Sequence, residues 1–128
     1  MSKLLNMVIE INKKQYIKEK EKIEDKIDAI NNTIVESAKN GNNKLVINFK
    51  KRSLGSEYGY GYSRAIKTDS YTYLVDNLVH IDKIINLIAD HYENEGFHID
   101  IGATDTYLII SWKSALDKEI AKLNTEEV

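Results

Sequence analysis

The run FHIDIGATDTYLIISW, residues 97–112, alternates apolar and polar side chains on both sides of a glycine-containing break. Successive side chains of an extended chain point to opposite faces. Phe97, Ile99 and Ile101 therefore share one face, and Leu108, Ile110 and Trp112 join it across the break. A hairpin with one apolar face has to be covered by another layer. The preceding residues offer that cover. In SYTYLVDNLVHIDKIINLIADHYENEG, Leu74, Leu78, Ile81, Ile85, Ile88 and Tyr92 recur at steps of four and three, widened by Val75, Ile84 and Leu87. The spacing predicts a central, heavily buried helix that ends at Gly96.

The remaining segments extend the same pattern. From about residue 12 to 40, Tyr16, Ile23, Ile27, Ile30 and Ile34 fit one seam of a long amphipathic helix, with Lys20 in the missing position. Asn12 with Gln15 reads as a capping box, and Gly41 as a left-handed stop. Residues 4–11 fit either a short strand or a helical turn, and both readings stay open. KLVINFKK is a strand with Leu45, Ile47 and Phe49 on one face; Gly55-Ser56 suits a two-residue turn, and Glu57 to Lys67 a return strand. A closing helix over 114–124 starts at a Ser114/Asp117 box and carries Leu116, Ile120 and Leu123 on one stripe. The expected fold is α+β, in the order α-β-β-α-β-β-α: an antiparallel sheet of two hairpins with helices on one face. With 128 residues, the chain is expected to form one domain, with its sheet and central helix in residues 44–112.

Composition narrows the chemistry. The absence of cysteine removes disulfides, thiolate metal sites and a cysteine nucleophile. The N-terminal residues show neither a secretory leader nor a membrane-spanning run, which points to a cytoplasmic protein without a membrane partner. Residues 1–54 hold 12 basic and 7 acidic side chains (+5), and residues 55–128 hold 6 and 13 (−7), so the molecule is electrically two-faced. No glycine loop has the register of a nucleotide-binding motif, and Ser111 lacks a glycine-flanked elbow. His80 and His91 fall about 16 Å apart along one helix, too far to share a metal. His98 and Asp100 share the outer face of a strand as solvated neighbours. The expectation is no catalytic residue, no metal and no cofactor.

The stretch KKRSLGSEYGYGYSRAIK, residues 50–67, is the unusual one. A turn at Gly55-Ser56 sets Lys51 opposite Tyr60, Phe49 opposite Tyr62, Ile47 opposite Arg64 and Leu45 opposite Ile66. Tyr62 then joins the core, while Tyr58 and Tyr60 overhang it beside Lys51, with Lys50 and Arg52 on the reverse face. Tyrosines among cations suit a protein interface, and the partner-binding set is Tyr58, Tyr60, Tyr62, Lys50, Lys51, Arg52 and Arg64. Stacking on single-stranded nucleic acid is the alternative. Packing of the tyrosines on the protein's own helices, or self-assembly through the Tyr16 to Ile34 seam, are the further readings.

Over residues 74–112, a central helix ending YENEGF and a hairpin closing in Ile-Ser-Trp resembles small phage- or prophage-encoded accessory proteins. The resemblance implies an intracellular modulator that inhibits or redirects a host protein. It carries over no functional residue.

Overall fold

The computed structural model describes residues 2–52, 69–78, 80–102 and 106–126. The chain opens with α1 (Lys3–Glu21) and α2 (Ile23–Lys39). These are two parts of one helix interrupted at a single residue, because Lys22 between them keeps a right-handed helical backbone (φ −84°, ψ −10°). The interruption is a tightened turn: the Lys22 N–H bonds the Glu19 carbonyl three residues back, and the four-residue step resumes from Lys26 to Lys22. The helix therefore begins well before residue 12. Ser2, whose hydroxyl accepts from the Leu5 N–H at 3.0 Å, is the N-cap. Asn12 instead lies inside α1 and donates to the Gln15 side chain at 2.8 Å.

At the far end, Gly41 (φ +86°) closes α2 as expected, with Gly41 N–H to Ala38 O and Asn42 N–H to Ser37 O. That bond pair is a Schellman motif. The Ser37 hydroxyl, fully buried, donates to Lys44 O at 3.0 Å and ties the helix end to the first strand.

Four strands form one mixed sheet: β1 (Lys44–Lys51), β2 (Ser70–Val75), β3 (His98–Ile101) and β4 (Tyr107–Ser111), in the order β2-β1-β4-β3. The β3–β4 hairpin forms with the expected residues on one face, Ile99 opposite Ile110 and Ile101 opposite Leu108. β1 differs from expectation. It pairs antiparallel with β4, Leu45 opposite Ile110, and parallel with β2, Phe49 opposite Tyr73. Ile47, expected to face Arg64, is flanked instead by Leu108 of β4 and Tyr71 of β2, and the sheet is not purely antiparallel. The turn itself and the proposed return strand from Glu57 to Lys67 lie outside the described residues.

β2 occupies residues assigned above to the start of the central helix. Tyr71, Tyr73 and Val75 alternate toward the core, with aromatic and β-branched side chains that favour a pleated surface over a helix. The central helix, α3 (Ile81–Asn94), starts only after Asp76, Asn77 and Leu78, behind His80 in a left-handed conformation (φ 63°). Gly96 (φ +104°) ends it with a second Schellman pair, Gly96 N–H to Glu93 O and Phe97 N–H to Tyr92 O.

α2 lies over β1 and β2, and α3 over β3 and β4. Ile30 of α2, Ile84, Ile85, Ile88 and Tyr92 of α3, and Leu45, Ile47, Phe49, Tyr73, Val75, Leu108 and Ile110 of the sheet form the core between the two layers. Tyr16, Ile23, Ile27 and Ile34 pack against it. The Tyr16 to Ile34 seam is therefore spent on this chain's own core, which corrects its reading as a self-assembly face. Trp112 fills the sheet end as expected, edge-on to Phe97 at 6.2 Å. α4 (Lys113–Glu126) completes the chain, but its Leu116, Ile120 and Leu123 stripe is exposed rather than folded onto the body.

Candidate functional site at the basic end of the sheet

Three of the seven expected partner-binding residues, Lys50, Lys51 and Arg52, fall at the C-terminal end of β1. Tyr58, Tyr60, Tyr62 and Arg64 lie outside the described residues. Strand alternation separates the three. Lys51 stands beyond Phe49 on the helix-covered side, opposite Val75, while Lys50 and Arg52 belong to the reverse side. All three side chains are exposed. Arg52 extends the ladder, its N–H donating to Val75 O at 2.7 Å, and its Nε stands 3.4 Å from Asp76 Oδ1.

Asp76 is the hub of this end. It follows β2 directly, and Lys22 at the helix interruption donates to its Oδ2. Its N–H donates to Glu19 Oε1 at 2.7 Å. Glu19 is 2% exposed, a carboxylate sunk where α1 meets the end of the sheet, with Lys22 Nζ at 4.0 Å. The residue filling the gap in the seam between Tyr16 and Ile23 is thus Glu19, and Lys20 points to solvent. Glu19 does two things here. It caps the first free N–H after β2, and it supplies negative charge among lysines that would otherwise repel one another.

Lys26, one turn further along α2, holds its ammonium 5.2 Å from the centre of the Tyr73 ring. Partial burial, then the positive charges of Arg52 and Lys22, push its pKa below the ordinary lysine value, against a smaller upward pull from Glu19 and Asp76. The Lys22 hydrogen bond, followed by the charges of Lys22 and Arg52, holds the Asp76 carboxyl below the ordinary aspartate value despite an opposing desolvation effect. Burial, with the Glu19 charge next, drives the Tyr73 hydroxyl well above the ordinary tyrosine value. That hydroxyl and Glu19 Oε2 are buried with no hydrogen-bond partner among the described residues.

Among the described residues, Lys22, Lys26 and Arg52 surround Glu19 and Asp76, and Lys50 and Lys51 stand exposed beside them at the end of β1. The arrangement can hold an anionic surface. Among the described residues, no group of three or more histidine or carboxylate side chains is placed to bind a metal ion. His98 and Asp100 stand 3.3 Å apart and are both mostly exposed.

No protein-family model, curated protein or solved structure matches the chain. No helix among the described residues is long and apolar enough to cross a membrane.

The Arg52 position was legible from sequence, but the Glu19–Asp76 hub was not. The usable signal was the row Leu5, Ile9, Asn12, Tyr16, Glu19, Ile23, spaced four and three, which carries Glu19 onto the same face as Tyr16 and Ile23. The surrounding lysine-glutamate run hid it by reading as a solvated face.

Proposed function

We propose that the chain is a non-enzymatic binding protein that docks the basic end of its sheet on an acidic surface of another protein, as a phage-type accessory protein would act on a host factor. The observation that carries this reading is the excess of cations around Arg52, Lys50 and Lys51. Lys50 and Lys51 take part in none of the ion pairs among the described residues. Charges of that kind speed encounter with an opposite surface and fix its orientation. Tyr58 and Tyr60 belong to the proposal on the sequence reading alone, as aromatic anchors beside those cations.

The test is capture of partners from lysate of the native host by the full chain, set against a Lys50→Glu/Lys51→Glu variant and a Tyr58→Ala/Tyr60→Ala variant. A stoichiometric protein complex with the wild type, lost with the charge-reversed chain, supports the reading. Equal capture by the charge-reversed chain removes the surface from consideration. Binding to labelled single-stranded oligonucleotides that collapses as salt rises, with no protein captured, assigns the same cations to phosphate instead.

A further inference from the structure

β3 is an edge of the sheet, separated from the basic strand β1 by β4 and paired on one side only among the described residues. The free main-chain groups of such an edge are a template for another strand. Which groups face outward follows from the hairpin. Gly102 N–H donates to Tyr107 O at 2.9 Å, so these two residues are a hydrogen-bonded pair of the antiparallel ladder. Bonded and non-bonded pairs alternate along a ladder. Asp100 with Ile109 and His98 with Ser111 are therefore bonded pairs, while Ile99 and Ile101 turn their N–H and C=O groups away from β4. Side-chain burial agrees with an open edge. His98, Asp100 and Ile101 are exposed, and Ile101 is 42% open although it shares the helix-covered face with Ile99.

We infer that β3 is a self-pairing edge, on which two copies join antiparallel about a two-fold axis at Ile99. Charge selects both the occupant and the register. Residues equidistant from such an axis stand opposite each other, so His98 of each copy faces Asp100 of the other. Within one chain these side chains already meet on one face, 3.3 Å apart and both 64% exposed. Two copies turn that pair into an alternating cluster of two imidazoles and two carboxylates. On the helix-covered side the same register sets Ile99 against Ile99 and Ile101 against Phe97, which covers the side chain that a single copy leaves open.

The main chain fits the same axis. Ile99 is one of the two residues whose N–H and C=O face outward, so the two copies of Ile99 exchange both bonds across the two-fold. The neighbouring registers fail. An axis at Asp100 opposes two carboxylates, and an axis at Ile101 sets Asp100 against Gly102 and leaves it without a positive partner. Charged side chains ordinarily protect an edge from pairing, but a histidine and an aspartate two positions apart repel a copy only in the wrong register. The face is self-complementary, and the pair it forms is closed through β3.

So short a contact belongs to the small, transient class of interfaces, which sets the concentrations needed at about 0.1–1 mM. Sedimentation of the full chain across that range is expected to show the mass rising from 14.7 kDa toward twice that value. Amide hydrogen exchange locates the contact: Ile99 and Ile101 gain protection as concentration rises, while Asp100, already bonded to β4, does not. Asp100→Lys places a lysine opposite His98 and weakens association at least about tenfold, and adding His98→Asp restores it to within about threefold. Circular dichroism checks that both variants fold. A wild-type chain that stays at 14.7 kDa throughout overturns the inference. So does association that Asp100→Lys leaves undiminished, or a folded double variant that fails to recover it.

Discussion

α1 and α2 are the two arms of one interrupted helix, 19 and 17 residues long, and they use their hydrophobic residues in opposite ways. α2 buries Ile30 completely and rests Ile23, Ile27 and Ile34 on the core. α1 leaves six large aliphatic side chains open in its first turns and buries a glutamate at its last. Apolar content alone therefore does not decide burial along this helix. Position over the sheet does: α2 lies across β1 and β2, whereas α1 passes the end of the sheet, where Tyr16 meets the His80 ring and Glu19 accepts from the Asp76 N–H.

The sharpest way to break this comparison is to make one kind of truncation in each arm. Ile30→Ala leaves a cavity between helix and sheet and is expected to cost about 2–5 kcal/mol. Val8→Ala, at an exposed position, is expected to change stability by less than about 0.5 kcal/mol. Urea denaturation of both variants reads the contrast directly. Equal losses would mean that α1 also carries the fold.

A smaller effect comes from the tyrosines beneath α2. Tyr92 donates its hydroxyl to Asn31 Oδ1 at 2.7 Å, and Tyr73 lies under Lys26. Burial raises both hydroxyls above the ordinary value of 10. A raised folded-state pKa gives a contribution that is complete below pH 10 and is lost as pH climbs past it, because the folded chain then holds protons the unfolded chain has released. Lys26 works the other way, its pKa being lowered, but it is a single half-buried group against two tyrosines. The denaturation midpoint is accordingly expected to fall from about pH 9 to about pH 11. Tyr73→Phe should flatten that fall with little loss at neutral pH, since its hydroxyl has no hydrogen-bond partner among the described residues. An alkaline profile unchanged by this substitution would place Tyr73 nearer to water than the structure does.

What was legible in the sequence follows from which signals act locally. The seam of α2, the alternation of β1 and of β3–β4, and the glycine stops at Gly41 and Gly96 are each set by residues within a few positions of one another, and each is present. β2 was misread because Leu74, Val75 and Leu78 fit the four-and-three spacing of α3 as well as they fit a strand. Only pairing with β1, a contact distant in sequence, separates the two readings. The parallel direction of that pairing has no local signal at all. At the candidate site, the cations of β1 stood out by composition, while the buried Glu19 did not. Its inward turn depends on the Asp76 N–H, 57 residues away. The exposed α4 stripe erred the other way, since Leu116, Ile120 and Leu123 have the spacing of a packed face without the packing.

The central claim is that one helix is anchored along α2 and open along the first turns of α1. Amide hydrogen exchange on the full chain, followed residue by residue in dilute solution, tests it most directly. The amides around Ile27 to Ile34 should exchange only through global unfolding, and those of Leu5 to Ile11 faster by orders of magnitude. Protection of Leu5 to Ile11 at the level of α2 in dilute solution would contradict the account, because it would mean that the arm is already covered within a single chain.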